Sequence, residues 1–176
     1  METPEAIYFF TPKCEKYGYL SNFYKTNLVE KVEKVEKVEK VEEETDKLFN
    51  CSEHYFMYYK CLTFDPTNSE LLEKIYYEES PYKVKKLGRQ VKNYDEKIWS
   101  EKRYSIMINA LRLKFTQNET IKANLLSTKP KTLYEASPFD KLWGIGYSAK
   151  NAIIKDKIKY GQNLLGKALM QIRDEL

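Results

Sequence analysis

Residues 51–61 read CSEHYFMYYKC, a stretch that sets the only histidine of the chain between two of its three cysteines. It reads in three ways: as a metal site, as a carboxylate at the head of a helix, or as an aromatic core helix that contains His54. A helix beginning near Glu53 separates His54 from Cys61 by two turns, ~10 Å along the axis. Metal ligands on one helix recur at i, i+3 or i, i+4, and no second Cys/His cluster completes a set of four. The stretch therefore predicts no metal ligands and a His54 that is buried or hydrogen-bonded. Glu53 falls in the first turn, where the helix dipole and unpaired N–H groups favour an ionised side chain. Lys60, seven residues on, returns to within about 20° of the same face, close enough to share a pocket with Glu53. Spacing alone also fits an exposed ion pair or a capping glutamate.

Outward from this stretch, Ser52 is the expected helix cap, and three helices follow closely. Ser69 caps SELLEKIYYEE, and Ser80 with Pro81 opens SPYKVKKL, which Gly88 closes. The longest helix is expected from about Asp95 to Phe115. It carries Ile98, Trp99, Ile106, Ile108, Leu111, Leu113 and Phe115, more apolar positions than one face needs, which suggests a central element. NETIKANLLS gives a short helix, TLYEAS a strand and SPFDKLWGIGYS a loop. GQNLLGKALMQIRDEL gives an amphipathic helix with Leu164, Leu165, Ala168, Leu169 and Ile172 inward. On the N-terminal side, IYFF (7–10) and GYLSNF suggest short strands. The expected fold class is α+β, predominantly helical, with short N-terminal strands and one domain over residues 1–176.

A chain of 176 residues with 42% hydrophobic residues builds one core and is short for two domains. Three cysteines without disulfide-like spacing, no basic-then-apolar leader and no long apolar run predict an intracellular, cytoplasmic protein without membrane attachment. The net charge of +4 is uneven. VEKVEKVEKVEKVEEE (29–44) holds four Lys and seven Glu, a net −3 that leaves the remainder at +7. A basic body favours phosphate-bearing partners. Valines at a period of three wind around a helix and alternate faces in a strand, so the run makes no core stripe. It reads as a charged, solvated insertion, helical or an extended hairpin, without chemistry of its own.

Two further stretches bear on function. SPFDKLWGIGY supplies Asp140 three residues before Trp143, with Gly144 and Gly146 beside it. That composition suits stacking a flat ring against closely approaching backbone, or equally a tryptophan plugging the core beneath a turn. In KVKKLGRQ, Lys85, Lys86 and Arg89 form a cationic cluster near a helix end, either a phosphate patch or a solvated surface. No GxxxxGK[ST], GxGxxG or HExxH pattern is present.

Taken in order, LSNFY (20–24), SEHYFMYYK (52–60), KKLGR (85–89), Trp99, ALRLKF (110–115), LYEASPFDKLWGIG (133–146) and GQNLLGKALMQIR (161–173) resemble the NADAR family. The resemblance covers the chain apart from the Val-Glu-Lys run and residues 147–160. It implies hydrolysis of N-glycosidic bonds without a metal or redox cofactor. The implied substrates are ribosylamino intermediates of riboflavin synthesis, or ADP-ribosylated guanine, including guanine in DNA. Matching family positions are Asn22, Glu53, Lys60, Lys85, Arg89, Trp99, Asp140, Trp143 and Gly144, with Phe23 beside Asn22. Cys51 and FMYY depart from the family's small residue before Ser52 and Gln-rich helix after Tyr55, which alters the expected pocket lining.

Cleavage of a ribosyl C–N bond builds positive charge at C1′, so a fixed anion beside that carbon stabilises the transition state. Glu53 is the candidate. Asp140 is expected to orient water or a ribose hydroxyl, Trp143 and Trp99 to stack on base or sugar, and Arg89 to bind phosphate. An alternative is attack by Lys60 or Lys85 on an opened ribose aldehyde. Of the two substrate classes the basic body favours ADP-ribosylated guanine. A non-catalytic ADP-ribose or nucleic-acid binding module is the rival from another class, and the presence of both Glu53 and Asp140 argues against it.

Overall fold

The computed structural model describes residues 1–31 and 46–176. Its elements are β1 (Ala6–Phe9), a 3-10 turn (Gly18–Leu20), β2 (Leu28–Glu30), β3 (Lys47–Phe49), α1 (Ser52–Phe64), α2 (Ser69–Tyr77) and α3 (Pro81–Gly88). Then follow α4 (Glu96–Thr116), α5 (Glu119–Leu126), β4 (Thr132–Glu135), α6 (Ala149–Ala152), a second 3-10 turn (Lys157–Lys159) and α7 (Leu164–Glu175). The architecture is α+β and predominantly helical.

The quoted stretch is the centre of the molecule. Ser52 through Tyr58, then Cys61 and Phe64, are all buried, and α1 touches α2, α3, α4 and β3. A helix buried all round needs apolar or paired groups on every face, which the aromatic run supplies. Phe49 at the end of β3 is fully buried, with ring centroids 5.0–5.3 Å from Tyr55, Tyr58 and His54 in edge-on contacts. Such ring pairs add about 0.5–1.5 kcal/mol each beyond area burial. The longest helix, α4, is central as expected, touching α1, α5, α7 and β2, but not along its whole length. In α4 burial is concentrated in the C-terminal half, Met107 to Phe115, with Trp99 ahead of it, and Ile98 is 43% exposed.

Three local expectations also change. Cys51, in extended conformation, is the residue before α1, so Ser52 is its first helical residue and not its cap. Asn68, whose side chain accepts from Leu71 N–H at 3.1 Å, caps α2 in place of Ser69. GYLSNF forms a 3-10 turn and loop instead of a strand, with Leu20 N–H bonded to Tyr17 O and Ser21 N–H to Gly18 O. Local turn bonds there satisfy groups a strand would have to pair elsewhere.

β1 and β4 pair in parallel, Ala6 with Thr132 through to Phe9 with Glu135. Alternation along the pair sends Ile7, Phe9 and Leu133 to the main core. Ala6 and Tyr8 go to a smaller cluster with Ile145 and Ala152. β2 and β3 pair antiparallel, Leu28 with Phe49 and Glu30 with Lys47. The expectation of a solvated insertion at 29–44 falls mostly on residues 32–45, outside the described residues. Its first residues, Val29 and Glu30, are part of β2, and Glu30 accepts from the hydroxyls of Tyr55 and Tyr59 on α1.

Candidate active site

The head of α1 is one wall of a cavity of about 440 Å³. Glu53, Phe56 and Met57 reach it from α1, Asn22 and Phe23 from the loop before β2, and Lys85 from α3 with Arg89 just beyond. The opposite wall is the end of β4 and the loop after it, carrying Glu135, Asp140, Leu142 and Trp143.

Backbone bonds draw these distant segments together. Glu53 N–H, one of the groups a helix start leaves unpaired, donates to Asn22 O at 3.0 Å. The Asn22 loop is held from the other side by Lys114 of α4, wholly buried, whose ammonium donates to Ser21 O at 2.9 Å. Burial pushes the Lys114 pKa down to about 7, with Cys51 opposing the shift. α3 lies close on α1 because Gly88 has no side chain: a Cβ there would stand 2.1 Å from Met57 Sδ. That contact brings Lys85 and Arg89 beside Glu53. On the far wall, Asp140 Oδ1 accepts from Leu142 N–H and Trp143 N–H, both at 2.8 Å, and so folds the loop that presents Trp143. Gly144 packs that loop on β4, since a Cβ would lie 2.8 Å from Glu135 O.

Glu53 is 5% exposed. Burial pushes its pKa above the usual carboxylate range. Lys85 offsets part of the rise, Asp140 adds to it, and Arg89 and Lys60 oppose it. This corrects the expectation drawn from the helix dipole alone: desolvation outweighs the favourable field at the helix start. Glu53 is an anion only at the cost of desolvation, and a cation arriving beside it removes that cost.

The cavity gathers Asn22, Phe23, Glu53, Lys85, Arg89, Asp140 and Trp143 from the positions singled out in the sequence. Three others lie off its lining. Trp99 is 5% exposed and packs behind Phe56, ring centroids 4.9 Å apart, while the front of Phe56 meets Trp143 edge-on at 5.3 Å. It backs the wall and cannot stack on a ligand without displacing Phe56. Lys60 donates to Gly88 O at 2.9 Å and sits 4.7 Å over the Tyr94 ring. Burial, then Arg89, lowers its pKa. Gly144 approaches the β4 backbone, where a ring-binding role had been expected.

Glu135 was missed as an individual residue, although it lies in the quoted LYEASPFDKLWGIG. It faces the cavity with Oε2 shut off from solvent and without a hydrogen-bond partner among the described residues. Asn22 Oδ1 is in the same condition. A glutamate ending a strand in an apolar stretch was the available signal.

His54, adjacent to Glu53, points away, into the aromatic cluster of Phe49 and Tyr76, where its Nδ1 accepts from Asn50 N–H at 3.3 Å. Among the described residues no three of His, Cys, Asp and Glu gather as a metal site. No helix there is long and apolar enough to cross a membrane.

Residues 8–176 match the family model described as the NADAR domain. An N-glycosidase of Acanthamoeba polyphaga mimivirus is 42% identical over 125 residues, 70% of this chain and 72% of its own. A riboflavin biosynthesis protein of Vibrio vulnificus (strain YJ016) is 30% identical over 176 residues, 100% of this chain but 39% of the relative. The solved structure of the E. coli protein YbiA aligns with a TM-score of 0.70 at 28% identity, covering 99% of this chain and 86% of that one. A match that takes in both walls of the cavity, with the fold shared across nearly the full length, makes the chain a member of the NADAR family.

Proposed function

We propose that the protein is an N-glycosidase that cleaves the bond between ribose C1′ and a base nitrogen of ADP-ribosylated guanine, as nucleoside or in DNA, releasing ADP-ribose. The observation that carries this reading is the buried Glu53 carboxyl facing a cavity shared with Lys85 and Arg89. As the C–N bond lengthens, positive charge grows on C1′ and the ring oxygen, and a carboxylate held beside them in a dry cavity stabilises that charge strongly. Arg89 and Lys85 bind the phosphates, Trp143 and Phe23 flank the base or sugar, and Asn22 Oδ1 accepts from a ribose hydroxyl. Trp99 acts through Phe56. The name of the mimiviral relative supports the reaction class.

Asp140 takes a narrower role than expected, since its Oδ1 is engaged in holding the loop. Its presence then no longer argues against a pure binding module, and that weight passes to Glu53. If ribose opens to the aldehyde, Lys85 in the cavity wall is the better-placed amine than Lys60, whose ammonium is bonded to Gly88 O. Borohydride reduction during turnover, followed by peptide mapping, tests that route: a ribosyl adduct on Lys85 supports it and an unmodified Lys85 dismisses it.

The relative named for riboflavin biosynthesis favours a second reading, a phosphoribosylamino pyrimidine substrate. Chromatographic assay of the protein on ADP-ribosylated guanosine and on the ribosylaminouracil phosphate, side by side, separates the two. We expect kcat/KM at least tenfold higher on the first. The reverse preference moves the assignment to the pyrimidine, and turnover of neither contradicts the N-glycosidase reading.

A further inference from the structure

Glu135 is held more rigidly than a solvent-facing glutamate needs to be. Its N–H donates to Asn163 Oδ1 at 3.0 Å, its carbonyl accepts from Ile145 N–H at 2.9 Å, and Asn163 Nδ2 donates to Leu133 O at 2.9 Å. Asn163 makes this clamp from a left-handed backbone conformation, φ 54°, which asparagine tolerates better than most residues. The side chain then enters the cavity with Oε2 closed off and unpartnered among the described residues. A buried carboxyl oxygen without a donor is costly as an anion and cheap as an acid.

Glu135 and Glu53 also differ in counter-charge. Around the cavity stand Glu53 from α1, Lys85 from α3, Arg89 beyond it, Tyr94 before α4 and Asp140 from the loop; α4 contributes the uncharged Met107. Burial pushes both carboxyls up, but Glu53 has the three cations Lys85, Arg89 and Lys60 set against Asp140, whereas Glu135 has Lys85 alone set against Asp140 and Glu53. Carboxyls in one cavity with unequal counter-charge separate into an anion and an acid.

Resting on the N-glycosidase reading above, we propose that Glu135 is the catalytic proton donor to the departing nitrogen, paired with Glu53 as the anion at C1′. The C1′–N bond breaks with its electron pair leaving on nitrogen, and the Glu135 proton neutralises that pair. Water oxygen then forms the C1′–O bond, and the proton that water loses restores the Glu135 acid, so the sum is addition of one water across the C–N bond. Burial, with Asp140 next, pushes the Glu135 pKa up to about 8, which retains the proton at neutral pH.

The test compares the wild-type protein with Glu135→Gln on whichever nucleotide substrate it turns over, from pH 5.5 to 9.5. The expected kcat falls at least ~100-fold, with KM within threefold, and the variant lacks the alkaline limb expected of the wild type near pH 8. A kcat within fivefold, or an unchanged alkaline limb, overturns the proposal. Formate restoring turnover to Glu135→Ala supports it, and failure of such rescue counts against it. A readout free of activity comes from melting temperature. The folded state holds a proton that the unfolded chain releases between pH 4.5 and about 8, so stability declines as pH rises through that window. Glu135→Gln should lessen that decline, leaving the share due to Glu53, whose pKa is also raised, and a constant difference between the two proteins across the window overturns the protonated state. If the wild type hydrolyses neither substrate, the function reading fails while the melting comparison still judges Glu135.

Discussion

Glu53 and His54 are neighbours on one helix, nearly equally buried, and both are acid–base side chains. Both line cavities, His54 one of about 390 Å³ shared with Lys25, Glu78 and Glu79, but the charges that act on them differ. Glu53 looks into a cavity with Lys85, Arg89 and Asp140, while His54 is packed edge-on against Phe49 with Tyr76 nearby. Burial drives both toward the neutral form, raising Glu53 and lowering His54. Only at Glu53 do several charges from other elements contest that drift. Burial of a titratable group is therefore weak evidence for function, and counter-charges delivered by separate segments into a cavity are stronger evidence.

Removing the counter-charge should act on Glu53 and not on His54. Arg89→Met should raise KM by about 10–100-fold with kcat within fivefold, the loss of a charged hydrogen bond to phosphate, read from steady-state kinetics. A fall in kcat with unchanged KM would instead put Arg89 at the reacting atoms.

The loop that meets Glu53 offers the next effect. Lys114 is neutral in the fold above about pH 7 but charged in the unfolded chain up to 10.5. The unfolded state thus binds more protons between these values, and stability should rise with pH across the window, by a few kcal/mol in all. Lys114→Met should flatten that rise in denaturant titrations, and should lower turnover about tenfold by releasing Ser21 O. A parallel pH dependence in wild type and variant would contradict the buried neutral lysine.

His54 should matter less. His54→Phe is expected to keep kcat/KM within threefold and to shift stability by about 1 kcal/mol at neutral pH. Because His54 is held below its ordinary 6.5, the wild type loses stability as pH falls through 6.5, and the variant should lack that loss. A large fall in turnover would break the contrast between the neighbours. The smallest effect is expected from deleting residues 33–44, which keeps Glu30 and its tyrosine partners. Turnover should stay within twofold, and a tenfold loss would give the charged run a role in the site.

Much of this was legible in the residues. The helix cluster from α1 to α5, β1, β4 and α7 follows from apolar spacing and turn formers; of the seven cavity residues, Glu53, Lys85, Arg89, Asp140 and Trp143 stand out by residue type and placement, and Asn22 and Phe23 by the resemblance. The losses have physical causes. Ser52 was read as a cap because serine caps helices, but the backbone turns in at Cys51 and Asn22 O serves Glu53 N–H instead. Trp99 was read as a stacking platform because tryptophan invites that reading, while Phe56 in fact intervenes. Glu135 has only a faint local mark, a glutamate ending a strand, since its surroundings come from Asn163, 28 residues later, which holds its backbone, and from Asp140 across the loop. Gly88 closes α3 as its sequence position suggests, and the spacing does not disclose its second part, the room its missing side chain leaves for Met57 of α1.

The proposed reaction requires an ionised Glu53 against the anomeric carbon as the base departs. Its most direct measurement is single-turnover release of ADP-ribose from an ADP-ribosylated guanine oligonucleotide by Glu53→Gln, alongside ligand affinity by calorimetry. Affinity is expected to stay within about tenfold while release falls at least ~1000-fold, the order expected for loss of an electrostatic stabiliser at the reacting centre. Release at the wild-type rate, with the variant folded and binding, would contradict that requirement.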